Sequence, residues 1–331
     1  MTTGFRCVCI VIASLSTPLV AQEPQDSSTT GHFHVGLTIR DWGISVGNAP
    51  RVNGLRINIQ DAALERVNGI NLTLWKPREP LTGTVNGIQA GLVPGSQVVS
   101  GIALGVGGVV AEQRSRWVTV GGLGAVSNGD FGGLVVGGLG TVANRDITGI
   151  AIGGLGTVAN RDITGIAVAG LGTVANRDVV GVAVAGLGTV ANRDITGVGV
   201  AGLGLVANGA LRGVGVGGLA TVANGSISGV AIGGLAVVTS GRLSGVAIGG
   251  LAVVSDAALR GIAIAGYSVD SRALTGLSVS AYNRVRGPQR GLTIGLYNSA
   301  YELHGVQIGV LNRAKNNRAP FKILPVLNVH R

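Results

Sequence analysis

At 331 residues the chain is long enough for two ordinary domains, but 59 glycines and a charged fraction of 12% do not fit ordinary domains. Aromatics at 3% exclude a core built on large rings, and 46% apolar content, mostly Val, Ile, Leu and Ala, excludes simple disorder. The formal charge of +10 comes with few rings for base stacking and an export-type start, which excludes nucleic acid as a partner.

Residues 1–21 read as a signal peptide: Arg6 supplies the positive start, "CVCIVIASLSTPLV" the apolar run, and Ala21 before Gln22 the cleavage point. The run is too short to span a bilayer as a helix. Cys7 and Cys9 both fall inside it, so cleavage leaves a chain without thiol or disulfide chemistry. The expected location is the cell envelope: periplasm, outer membrane or cell surface. Residues 22–31 read as a flexible linker and 32–51 as an N-terminal cap. His32 and His34 have the spacing of half a metal site on one strand face. No third ligand is near them in sequence, with His304 and His330 remote, so they read as cap residues.

From residue 52 to 314 the chain repeats itself. Sixteen-residue units begin at every sixteenth position from 115 to 259, and the eighth position is Gly in all ten copies, Gly122 to Gly266. Towards both ends the period slackens, with glycines 14 to 18 residues apart from Gly54 to Gly101 and from Gly276 to Gly305. Glycine and β-branched residues are poor helix formers, whereas "GIAIG" alternates with a strand period of two. Each unit therefore reads as two short strands and two turns.

The expected fold is an all-β solenoid with coils of about 14–18 residues, 16 in the central array. The alternative is an antiparallel β-barrel of short hairpins, for which sixteen residues fall short of a membrane hairpin. In the unit from Ile147 to Asp162, the expectation is that Ile147, Ile150, Ile152, Leu155 and Val158 fill a thin core. Ala151, Gly153 and Gly156 would then form a flat outer wall. By the same numbering Ile166 points inward and Ala167 outward.

Within the repeats, Gly197, Gly199 and Gly202, and again Gly213, Gly215 and Gly218, match a dinucleotide fingerprint, but a strand rather than the required helix follows. Asp146, Asp162, Asp178 and Asp194 recur once per coil, as in calcium-binding β-rolls. Each has an arginine beside it (Arg145, Arg161, Arg177, Arg193), so a self-neutralising corner is expected instead. Asn144, Asn160, Asn176 and Asn192 read as a corner hydrogen-bond ladder. Thr141, Thr157, Thr173 and Thr189 form a partial ladder that would suit an ice-binding face, interrupted by Leu205, Val237 and Val253. Residues 315–331 read as a basic C-terminal cap. From 271 to 331 nine Lys/Arg face Glu302 alone, a net charge of +8 that could meet anionic envelope components.

The pieces "VNGIQAGLV", "GLTIGLYNSAYELHGVQIGVLNRA" and "PFKILPVLN" resemble the bacterial surface-repeat family first described in leptospires. The resemblance covers most of the mature chain. It implies an exported protein built on Gly-Val-x-Ile-Gly-Leu-x-Asn units without established enzymatic activity, and it brings no site residues. The expected function is a non-enzymatic, secreted or outer-membrane structural protein of the cell surface, a scaffold or adhesin-like binding surface. No catalytic, metal or cofactor residue and no small-molecule substrate is expected; self-association is. The alternative is a membrane-embedded or pore-forming β protein, supported by the charge-free stretch Gly213–Gly241.

Overall fold

A computed structural model describes residues 34–330. The signal-peptide and linker readings, and His32, lie outside the described residues. Among those described there is no helix, and the strands form a β-solenoid. In the coil starting at Ile147, a seven-residue limb, Ile147–Gly153, is followed by a turn and a four-residue limb, Gly156–Ala159. Asn160 to Asp162 then return the chain to the next coil.

Each limb pairs in parallel with its copy sixteen residues on: Ile147 with Ile163 in the long limb, Thr141 with Thr157 in the short one. Parallel pairing at a constant offset excludes the hairpin barrel. Only the ends are antiparallel. At one end His34–Ile39 folds back on Trp42–Gly47, and at the other Ile323–His330 folds back along the last coils.

The bend in the long limb depends on one glycine per coil. Gly149 has φ +118°, and a Cβ there would lie 2.3 Å from the carbonyl oxygen of Gly133 in the coil below. The column runs from Gly43 to Gly305. Its exception is Trp117, held at φ 84°. A bulky residue in that region costs about 1–3 kcal/mol, which its neighbours' pairing must offset.

The interior corrects the sequence reading. Of the five expected core residues only Ile147 is buried; Ile150, Ile152 and Leu155 are 40–50% exposed, and Val158 is half-buried. Ala151 and Gly153, expected outside, are buried, and Gly156 sits half-buried beside the turn. Ile166 and Ala167 are likewise exchanged, at 41% and 0% exposure.

The reason is parity. In an extended limb residues two apart share a face, so Ile147, Gly149, Ala151 and Gly153 point one way and Ile150 and Ile152 the other. The interior is also narrow, so a larger side chain at one inward position is matched by a smaller one facing it. Where Leu205 replaces the inward Thr, the facing positions shrink from Ala to Gly199 and Gly215. A Cβ at either would lie within 2.8 Å of a Leu205 methyl. The thickness of the core is thus held constant by paired exchanges.

Towards both ends the interior becomes polar. Arg56 is completely buried, paired with buried Asp61 and bonded to Asn71, Asn48 and the Ala49 carbonyl. At the C-terminal end Asn283 donates to Asn298 and Asn298 to Asn312, each at 2.8 Å, while Gln307 donates to Gln289 at 2.9 Å. The buried Arg56 charge and most of these amide groups are held by such networks, although the Gln307 amide oxygen has no partner.

Candidate binding surfaces

Three surface features remain once the core is assigned. The first is the charged corner. Each Asp accepts the backbone N–H of the equivalent residue in the next coil: Asp162 to Asp146 at 3.1 Å, Asp178 to Asp162 at 3.0 Å, Asp194 to Asp178 at 3.0 Å. The arginine that neutralises the carboxylate comes from the following coil, fifteen residues on for Asp146 (Arg161, 3.5 Å), Asp162 (Arg177, 3.4 Å) and Asp178 (Arg193, 3.6 Å), and eighteen on for Asp194 (Arg212, 2.6 Å).

Asn144 through Asn224 form the expected ladder, each amide donating to the Asn below at 3.0–3.1 Å. At Asp130, partial burial raises the carboxyl pKa. The hydrogen bond from Arg145, the Asp146 N–H and the two nearby guanidinium charges together outweigh it, so the value lies below the ordinary 3.8. At Asp194 the Ala210 N–H, then Arg212, act against a smaller burial effect and also lower the value. These carboxylates are committed to the backbone and to arginine. Among the described residues, no group of three or more His, Cys, Asp or Glu could hold a metal.

The second feature is an apolar wall. The outward side chains of the long limbs form two columns, one through Ile150 and Ile166, the other through Ile152 and Val168. The first begins at Leu37 and Ile44 in the N-terminal hairpin and ends at Val306 and Val329. The second begins at Val35 and Val46 and ends at Ile308 and Leu327. Every position between is Ile, Val, Leu or, once, Ala90. At ~4.8 Å per strand the wall extends for roughly 90 Å.

On one flank the wall meets a mainly polar column, Thr148 and Thr164 continuing through Val180 and Thr196 to Arg212 and Arg260. On the other it meets the Leu155 corner, which is half-exposed. Sequence reasoning missed this wall because it equated large aliphatics with core. The signal was present in "IAI" and "IAV", where two branched residues flank a small one.

The third is a C-terminal cleft of about 550 Å³ lined by Tyr301, Glu302, Arg313, Lys315, Asn316, Lys322 and Ile323. Lys315 stands 4.9 Å over the Tyr301 ring. His304 and His330, far from His34 in sequence, meet edge-to-face with centroids 5.9 Å apart.

The remaining sequence candidates are structural. Gly197 occupies the positive-φ column, and the strand Gly204–Ala207 follows Gly202 where a fingerprint helix would have to begin. Gly213 repeats that placement, with Ala220–Ala223 following Gly218. Thr141, Thr157, Thr173 and Thr189 are fully buried, which overturns the ice-face reading. Thr157 and Thr189 donate to long-limb carbonyls instead. No family model, curated protein or solved structure matches the chain.

Proposed function

We propose that the protein is a non-enzymatic, exported cell-envelope protein whose solenoid rod serves as a scaffold or extended binding surface. The apolar wall carries this reading. An exposed apolar area far above the few hundred Å² usual for a free monomer marks an interaction surface. The export-type N-terminus and the resemblance to the leptospiral surface-repeat family support the envelope. The basic cleft offers a contact for its anionic components. The test is fractionation of the producing cell followed by a high-salt wash. The protein is expected in the envelope fraction before the wash, and the wash separates contacts made by the basic cleft, which salt screens, from apolar ones, which it does not. Recovery in the cytosol would overturn the reading.

One observation favours a membrane-embedded alternative: branched aliphatics outside with, towards both ends, amides inside are the arrangement of a lipid-facing barrel. Against full embedding, the Arg/Asp corner runs from Asp130 to Arg212 and needs water on that side.

A further inference from the structure

We infer that the apolar wall is the interface of a homodimer, in which two rods pack wall to wall and antiparallel. The inference rests on the scaffold reading above and names its partner: a second copy of this chain.

The first argument is area. Ile150, Ile166 and Val168 are each 38–41% exposed, and such a side chain leaves on the order of 60 Å² uncovered. About twenty strands contribute two each, so a wall offers roughly 2,000 Å² per copy. A stable interface needs about 800 Å² per partner. Even half overlap exceeds that.

The second argument is shape. Both columns continue in register from strand to strand, share the same strand repeat and are built almost wholly from Ile, Val and Leu. One wall therefore presents ridges that fit the grooves of another at the ~10 Å separation of stacked sheets.

The third argument separates protein from lipid. Surfaces that lie in a membrane interface carry Trp, Tyr, Lys or Arg among their apolar residues. Here rings and charges stand beside the two columns and not within them: Trp42 and Arg212 in the Thr148 column, Tyr267 in the Leu155 corner, and Trp117 among the glycines. The wall itself holds no ring and no charge.

Charge sets the orientation. A net +8 over residues 271–331 makes parallel rods repel at that end. Antiparallel packing about a two-fold axis places each basic end beside the partner's N-terminal hairpin.

The test uses the full mature chain in detergent-free buffer. Sedimentation equilibrium at micromolar concentration gives the mass, and small-angle scattering gives the cross-section. The expected result is twice the chain mass with a doubled cross-section. The Ile166→Lys/Val184→Lys double variant, altered only on the wall, should sediment as a monomer at least tenfold above the wild-type dissociation concentration, with unchanged β circular dichroism. Ile166→Thr/Val184→Thr, which keeps the branched shape, should dissociate less. A monomeric wild type, or a dimer indifferent to the lysines, overturns the inference. So does a monomer that floats with phosphatidylcholine/phosphatidylglycerol vesicles and loses them in the lysine variant, since lipid would then be the occupant. None of these outcomes alters the fractionation result, so the scaffold reading stands or falls separately.

Discussion

A single residue step along the long limb separates core from surface. Ala167 is fully buried between Ala151 and Ala183 of the adjacent coils, while Ile166 beside it is 41% exposed. Ala167→Leu adds three carbons where paired exchanges such as Leu205 with Gly199 already hold the thickness fixed, and it should cost about 1–3 kcal/mol. Ile166→Ser should cost under about 1 kcal/mol in the monomer, the span of strand preference alone. Denaturant midpoints of the two variants, compared at a concentration where both are monomeric, check the order; a larger loss for Ile166→Ser would refute it. At this scale the sequence was legible only through strand parity. Counting Ile147 and Ile150 on one face breaks the two-residue period, and equating branched side chains with core hid the break. Arg56 was beyond reach, since its burial depends on Asp61, Asn71 and the turn at Asn48 meeting across different coils.

The elements were better legible. A sixteen-residue period with glycine at fixed phase specifies a coil, because each strand's partner is the same strand one unit on. The antiparallel end strands were not, since nothing in their residues names the direction of pairing. The corner also carries a pH dependence. Asp130 and Asp194 have native values below the ordinary 3.8, so ionisation favours the folded state. Their contribution is complete above about pH 4, the unfolded range, and is lost as pH falls through the depressed native values. Melting temperature should therefore decline from pH 5 towards pH 2. The decline should be shallower in Asp130→Asn/Asp194→Asn, which keeps an acceptor for the backbone N–H without the charge. Superimposable acid limbs would show that the corner contributes nothing.

For the whole molecule, near-identical coils make length a countable quantity. Removing Ile147 to Asp194 deletes three coils and leaves each turn in phase. The rod should shorten by about 14 Å at ~4.8 Å per coil, with the cross-section unchanged. Stability should fall by graded steps, because each coil touches only its neighbours. Scattering on the two chains measures length and radius independently, and a thinner particle of equal length would contradict the stacking.

The direction of the interstrand bonds has a mechanical consequence. They run along the rod, and the described ends of the chain lie at its opposite tips. Tension applied at those ends therefore loads the bonds of one coil at a time, like the teeth of a zipper, instead of shearing a whole sheet together. Each coil released pays out sixteen residues, roughly 50 Å of slack against the ~5 Å it occupied. Such a fibre is stiff at rest, yields in equal small steps when pulled, and rewinds from whatever coils remain as a template.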